Sequence, residues 1–491
     1  MPQSNKKYPK SKRNKKPSSK GKGRKRTILW KSLIHNGVLF PPEFKPHGLT
    51  LTINGKKIVL SPQQEEMAWA WASKRDTPYV QDKVFASNFL LDFLKIFPQE
   101  YSNTNIQDIN FSRIIKYQEK EKERKSQPEV KKKLASERKK LREALKDKYG
   151  FVEIDGYKTE IANYLVEPPG IFMGRGKHPL RGRWKSRIYP KDITLNLSKK
   201  GENPLLPEGQ KWGKRIQDNQ SMWLASWTDK LTKKNKYVWP HDSSNIRQQR
   251  DKMKFDYAKK LAPKLERIRK HIMRGMNSKD TKTRKIATVC YLIDELCMRV
   301  GDEKDEDEAD TVGASTLRIE HLQITSNSIK FNFLGKDSVP WSKSIPGKTE
   351  KIQLFRKNLE IFMAGKKNEE TIFDGVKSSD INRFLGKTMD GLTAKVFRTF
   401  YATKVASTYL LQNSNCQEDL EFQKIFYAKM ANLETAITCN HKRTPPKNWE
   451  KSIVKKKERL RKLRAKPPKT EKAQKRYGER LLKAKLSLQL A

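Results

Sequence analysis

Positive charge in this 491-residue chain is gathered into stretches that cannot collapse on themselves, and they dictate where a core can form. Residues 1–26, "MPQSNKKYPKSKRNKKPSSKGKGRKR", hold twelve Lys or Arg and no acid. Nothing there can drive burial, so a disordered basic arm is expected, suited to localisation or loose phosphate contact. Residues 114–149 are highly charged and helix-prone, broken once at Pro128, which predicts a pair of long solvated connector helices. From Lys442 the last fifty residues hold nineteen Lys or Arg against four Glu. "NWEKSIVKKKERLRKLRAK", "PPKT" and "EKAQKRYGERLLKAKLSLQL" read as helix, proline break and helix, an antiparallel hairpin with a thin apolar seam.

Between these stretches the chain can fold. Folding starts near residue 27, and a hydrophobic content of 35% over 491 residues is enough for one or more proper cores, with length suggesting roughly three domains. The imbalance of 106 Lys and Arg against 55 Asp and Glu, a net charge of +51, asks for a polyanionic partner, nucleic acid first. No apolar run approaches the roughly 18 to 20 residues needed to cross a bilayer, and the N-terminus opens with charge, so an intracellular protein with no membrane partner is expected. Cys290, Cys297, Cys416 and Cys439 form no C-x-x-C pair, which supports neither a disulfide framework nor a zinc ribbon and predicts reduced, buried thiols.

Within the folding regions, "SPQQEEMAWAWASKRD" carries a helix start at Ser61 with Glu65 or Glu66. A second globular block begins near 150, with strands at "FVEIDG" and "ITLNLS". Its loop "EPPGIFMGRGKHPLRGRWKSR" gathers Arg175, Lys177, His178, Arg181, Arg183, Lys185 and Arg187 among glycines, which suits close approach to phosphates, although the spacing is not a dinucleotide fingerprint. From about 246 the pattern is helical around a small β insert. There Ile329, Phe331 and Phe333 alternate with polar residues in a half-buried strand that ends at Gly335. The acidic run "DEKDEDEAD", 302–310, lacks the glycine and terminal glutamate of a calcium loop and reads as a solvated loop.

Four basic residues each end or follow an apolar segment. Arg299 follows "VCYLIDELCM", where an arginine can simply meet the last helix carbonyls. Lys336 sits at the strand tip, where a solvated lysine is common. Arg398 lies among Val396, Phe397 and Phe400, and a buried arginine needs a carboxylate or a ligand phosphate. His441 ends a helix before a Pro-Pro stop.

Taken together and in order, "LCMRVGDEK", "FLGKDS", "GLTAKVFRT" and "CNHKRTPPK" closely resemble the active-site segments of the eukaryotic-type DNA topoisomerase I family, the type IB enzymes. The resemblance extends through "IANYLVEPPGIFMGRGKHP", "SWTDKLTKKNKYVW", "EADTVGASTLRIEHL" and "WKSLIHNGVLFPP", covering about residues 28–450. It implies a multidomain α+β fold, a two-lobed DNA clamp. A mixed α/β cap lobe would span 27–245 with its connector helices at 114–149. A mostly α catalytic lobe of the tyrosine recombinase and topoisomerase IB type would span 246–447, and a basic coiled-coil linker 448–491. In the family a tyrosine attacks a DNA phosphodiester, leaving a 3′-phosphotyrosine and a free 5′-hydroxyl, and the broken strand swivels before resealing. The resemblance implies that Arg299, Arg398 and His441 stabilise charge on the nonbridging oxygens, and that Lys336 protonates the leaving 5′ oxygen. Side-chain cations then do what magnesium does elsewhere, without ATP. DNA contacts are implied at Arg175, Trp223, Lys236, Tyr237, Lys254, Lys304, Thr311, Asp337, Asn382, Thr393 and Lys395, most of them to backbone, with weak sequence preference and steep salt dependence.

The family's nucleophile lies in a Ser-Lys-x-x-Tyr motif after the linker. Here the only tyrosine after His441 is Tyr477, in "QKRYGERLL", without that motif. The expectation is that the nucleophile comes from a C-terminal domain outside this sequence or from a small subunit of a two-chain enzyme. Asp302 and Met173, where the family often carries asparagine and arginine, are smaller departures. A DNA clamp without catalysis explains the charge but gives Lys336 no task. A tyrosine recombinase shares the chemistry but not the "EPPGIFMGRGKHP" segment. The expected location is chromosomal: the nucleus in a eukaryote, the nucleoid in an archaeon.

Overall fold

Residues 28–199, 202–301, 312–415, 417–443, 445–446, 448–468 and 470–491 are described by the computed structural model of the chain. The basic arm and the acidic run, with Asp302, Lys304 and Thr311, lie outside the described residues. Helices and small sheets alternate in an α+β architecture. They group into two compact units: residues up to Pro42 with Ser126–Pro168 and Arg187–Arg247, and Glu43–Lys125 with Pro169–Ser186 and Gln248–Ala491. The chain passes from one unit to the other several times. One passage falls at the proline break between the connector helices Ser112–Ser126 and Pro128–Tyr149.

The first unit carries a four-stranded sheet in the order Lys214–Ile216, Thr194–Asn196, Ala225–Thr228, Asn235–Val238, and an antiparallel trio of Leu33–His35, Phe151–Ile154 and Tyr157–Glu160. Alternation puts Leu33, Val152, Ile154, Leu195 and Trp227 into one core with Trp30. His35 is the polar member of that interior. Its Nε2 meets the carbonyls of Asn196 (3.2 Å) and Leu224 (3.0 Å), and its Nδ1 accepts from Gly37 N–H (3.0 Å). This pattern fixes the neutral tautomer with hydrogen on Nε2. Burial drives its pKa down to about 4.

The second unit holds two separate cores. One is aromatic. Trp71 of helix Pro62–Ala72 stacks on Phe89 of helix Lys83–Leu94 at 4.4 Å, with Phe85, Phe93 and Phe111 around them. The N-cap of the first helix is Ser61 as expected, but its capping partner is Gln64. Glu65 is fully buried and accepts from His47 N–H (2.8 Å) and Leu49 N–H (3.2 Å). The other core gathers helices Leu265–Met276, Thr281–Leu296, Glu350–Met363, Ser378–Gly386 and Ala394–Asn413 around the antiparallel sheet Leu322–Ile324, Ser328–Gly335, Val339–Pro346. Helix Thr281–Leu296 is buried nearly all round, as a central helix must be. Helix Glu421–Thr438 packs on Ala394–Asn413, and the C-terminal hairpin is formed by Trp449–Arg464 and Glu471–Gln489. Among the described residues no helix is long and apolar enough to cross a membrane.

Candidate active site

Arg299, Lys336, Arg398 and His441, spread over 142 positions of sequence, line one cavity of about 360 Å³ in the second unit. Each arrives by its own local device. Helix Thr281–Leu296 starts at Asp280, whose carboxylate accepts from Thr283 N–H (2.8 Å). It stops at Cys297, which adopts the left-handed conformation (φ 54°). The chain then leaves the helix axis, and Arg299 emerges exposed. Its carbonyl accepts from Ala314 N–H (2.8 Å), and Val312 N–H donates to Leu334 O (2.8 Å), so the arginine's segment is hydrogen-bonded through 312–314 to the strand that carries Lys336. Gly301 and Gly313 allow this approach: a Cβ on Gly313 would lie 2.5 Å from Gly301 Cα.

The strands Ser328–Gly335 and Val339–Pro346 stay in register up to Gly335 opposite Val339, which leaves Lys336–Ser338 as a tight turn with Lys336 exposed at the tip. Ser338 has φ 58°. Gly176 of the glycine-rich loop approaches that tip so closely that a Cβ there would lie 2.3 Å from Ser338 Oγ.

Arg398 is half-buried, and its acceptors are neither a carboxylate nor a ligand. One guanidinium nitrogen donates to the Cys297 carbonyl and the other to the Cys439 carbonyl (3.1 Å), with His441 Nε2 at 3.5 Å. Backbone carbonyls at helix ends were not among the two expected kinds of partner. His441 follows helix Glu421–Thr438 through a Schellman turn: Asn440 N–H bonds Ile437 O (3.0 Å), His441 N–H bonds Ala436 O (2.8 Å), and Asn440 takes the left-handed conformation (φ 52°). Asparagine is one of the few side chains that tolerate this. Burial first, then the charges of Arg398 and Arg299, hold the His441 imidazole below its ordinary pKa.

The same cavity is lined by Lys442, Arg443 and Asn440, which sequence reasoning did not single out. Among the described residues no acidic one lines it, and five cations and an imidazole face one volume. Such a site binds an anion and favours any transition state that gains negative charge. Lys343 also escaped notice, although a signal existed: the two-residue period places it between Trp341 and Ile345 on the inward face of its strand. Its ammonium donates to Leu296 O (3.3 Å) and Thr438 O (3.0 Å), and burial lowers its pKa.

The remaining candidates fall into separate groups. In the first unit, Trp223, Lys236 and Tyr237 lie together. The rings of Trp223 and Tyr237 are 5.9 Å apart, Tyr237 is exposed, and Lys236 pairs with Glu167 at 3.2 Å. In the second unit, Asn382, Thr393 and Lys395 meet at the start of helix Ala394–Asn413, where Asn382 Oδ1 accepts from Ala394 N–H (3.0 Å). Lys254, on helix Asn245–Lys259, pairs with Asp251 at 3.6 Å. Asp337 belongs to the hairpin turn and Arg175 to the glycine-rich loop. That loop spends part of its charge internally. Arg181 forks onto Asp82 (2.8 and 3.0 Å) and Arg183 onto Asp92 (2.7 and 2.9 Å), so these two anchor the loop.

Comparison with known proteins extends these observations. The family described as the DNA-binding fragment of eukaryotic DNA topoisomerase I matches residues 28–240, and the family described as its catalytic core matches residues 243–474. The chain is 38% identical over 447 residues to DNA topoisomerase 1 beta of Arabidopsis thaliana, covering 90% of this chain and 48% of that relative. It is 37% identical over 442 residues to DNA topoisomerase 1 of Homo sapiens, covering 87% of this chain and 56% of that relative. The Xenopus laevis DNA topoisomerase 1 is 36% identical over 442 residues, with 87% and 52% covered. The chain thus spans about half the length of the curated relatives it matches, and it belongs to the eukaryotic DNA topoisomerase I family.

Proposed function

We propose that this chain supplies the DNA-binding and phosphate-activating parts of a type IB topoisomerase, which relaxes supercoiled duplex DNA by transient cleavage of one strand. The observation that carries the reading is the convergence of Arg299, Lys336, Arg398 and His441 on one cavity, in which no acid stands among the described lining residues. In the proposed reaction a tyrosine oxygen bonds to phosphorus as the bond to the 5′ oxygen breaks. Arg299, Arg398 and His441 donate to the nonbridging oxygens, and Lys336 gives its proton to the departing 5′ oxygen. Arg398 already spends two nitrogens on carbonyls, so within this reading Arg299 offers the more available fork. Resealing runs the same steps backwards, and the phosphotyrosine conserves the bond, so neither ATP nor a metal is needed in this scheme.

Tyr477 is a poor candidate for the nucleophile: its hydroxyl donates to Leu463 O (2.9 Å) within the C-terminal hairpin. The reading therefore takes the tyrosine from a domain or subunit not included in these 491 residues. The same proposal carries the two-lobed arrangement around duplex DNA, the contacts at Arg175, Trp223, Lys236, Tyr237, Lys254, Lys304, Thr311, Asp337, Asn382, Thr393 and Lys395, and a chromosomal, nuclear location.

The test mixes this chain with a domain bearing Ser-Lys-x-x-Tyr and supercoiled plasmid in excess EDTA without ATP. Relaxation that disappears with Lys336→Ala supports the proposal. DNA retention without cleavage supports a non-catalytic clamp instead.

A further inference from the structure

Cys297 and Cys439 occupy matching places in the two arms that reach the cavity. Each directly follows the last residue of its helix, and each stands two residues before a site residue, Arg299 and His441. The arms are braced together residue by residue. Lys343 bonds the carbonyls of Leu296 and Thr438, and Arg398 bonds those of Cys297 and Cys439, one residue further along each arm. Both cysteines are free and buried, 7% and 6% exposed, and Cys439 lines the cavity. Burial pushes the Cys297 thiol up to about 11, with Lys343 and then Cys439 the next influences on it. Neither thiol has a task in the proposed reaction.

We propose that Cys297 and Cys439 form a dithiol modification site, which a peroxide closes into an intramolecular disulfide that disables the cavity. Cys439 is the thiol that a small oxidant in the cavity meets first. Its thiolate attacks hydrogen peroxide, the O–O bond breaks, and Cys439 sulfenic acid and hydroxide result, the hydroxide becoming water with the proton that the thiol had released. Cys297 sulfur then attacks the sulfenic sulfur. The S–S bond forms, the S–O bond breaks, and the hydroxyl leaves as water with the thiol proton. Two electrons pass from the two sulfurs to the peroxide. The raised Cys297 pKa makes the second step slow at neutral pH and faster in alkali, because the thiolate is the attacking species. A disulfide demands its own Cβ separation and dihedral. Closing one here moves the carbonyls that hold Arg398, and with them the segments of Arg299 and His441. This last consequence rests on the reading under Proposed function; the linkage itself does not.

The experiment treats the full chain, in a Cys416→Ser background, with hydrogen peroxide, blocks free thiols, and maps peptides by mass spectrometry without reduction. The expected result is a peptide containing Cys297 joined to one containing Cys439, separated again by dithiothreitol. Phenylarsine oxide, which bridges neighbouring thiols, is expected to bind, and to fail with Cys297→Ala or Cys439→Ala. Sulfinic acid on Cys439 alone, linkage only to Cys290 or only between chains, or arsenical binding unchanged in Cys297→Ala would each overturn the pairing. With a tyrosine-bearing domain added, the oxidised chain is expected to relax plasmid about tenfold or more slowly, since misplacement by about 1 Å can cost on the order of a hundredfold. Reduction restores the rate, and Cys297→Ala is insensitive to peroxide. Linkage with unchanged relaxation refutes the disabling step. A reduced chain that never relaxes DNA while still forming the linkage refutes the functional reading and upholds the thiol pair.

Discussion

Lys343→Met separates the geometry of the cavity from the stability of the fold. The Lys343 ammonium is half-buried and holds two carbonyls at the ends of two helices, Leu296 O and Thr438 O. Hydrogen bonds from a charged donor contribute roughly 1.5–3 kcal/mol each. Yet the Lys343 pKa is lowered, with burial the leading cause, so at neutral pH the loss of hydration outweighs what those carbonyls return to the charged form. Methionine fills similar space without that cost. Replacing a buried ionic group by an apolar one of like volume is often neutral. The expected change in unfolding free energy is therefore within about 1 kcal/mol. The brace between the arms carrying Arg299 and His441 is lost, however, and a shift of about 1 Å there costs on the order of a hundredfold in rate. Cleavage is expected to fall by roughly 10- to 100-fold.

The sign of the pH effect follows from the same shift. A lysine whose native pKa lies below its unfolded value destabilises the fold while it is protonated, and that penalty fades as pH rises through the native pKa toward the ordinary value. Wild type should gain stability on that account between neutral and alkaline pH, and Lys343→Met should lack the gain. Urea unfolding at both pH values, with single-turnover cleavage supported by a tyrosine-bearing domain, measures both halves. A variant that loses more than about 3 kcal/mol, or one that cleaves at the wild-type rate, would refute the reasoning.

Arg398→Lys keeps the charge but loses the fork that spans the Cys297 and Cys439 carbonyls; single-turnover cleavage is expected to drop by about 100-fold or more, with DNA retention on filters little changed. His35 is buried and its pKa is lowered from 6.5 to about 4, so the stability it contributes is present above 6.5 and lost as pH falls toward 4, by up to about 3 kcal/mol. Denaturant melts of wild type and His35→Gln across that range should converge as pH falls. Gly182→Ala places a Cβ 2.1 Å from Phe85 O at φ 92°; a cost of about 2 kcal/mol or more and faster hydrogen exchange across 172–183 are expected.

What was legible in the sequence depended on how local its cause is. The break at Pro128, the two C-terminal helices and the strand ending at Gly335 follow from residue period and proline chemistry, and they stand where expected. The four basic residues were found by resemblance, since nothing in their own spacing says that helix ends and a hairpin tip meet. Errors arose where a polar group's partner is distant. The loop's charge was counted as free for phosphate, whereas Asp82 and Asp92, some 90 to 100 positions earlier, pair with Arg181 and Arg183. Arg398 was expected to need an acid or a ligand, because sequence does not reveal which backbone carbonyls a helix leaves open. Lys343 was the avoidable omission: an inward lysine between Trp341 and Ile345 has to find acceptors.

Those open carbonyls explain how so many cations can be kept together. A helix ends with unpaired carbonyls and a partial negative charge. Helices Thr281–Leu296 and Glu421–Thr438 bring two such ends to one place, offering the oxygens of Leu296, Cys297, Thr438 and Cys439. Lys343 and Arg398 take all four, so their charge is partly offset by backbone and no carboxylate is required. This matters for an anion site, because an acid used to hold the cations would also repel the phosphate. Arg299 and Lys336 are exposed in the cavity lining, and in the proposed reaction they are the cations left to meet the phosphate. The division between cations that build the site and cations that serve it follows from where two helices stop, and that is set by the left-handed residues Cys297 and Asn440. Asn440→Val, which cannot hold that conformation without strain, is therefore expected to weaken cleavage through the displacement of His441, while Asn440→Gly retains it.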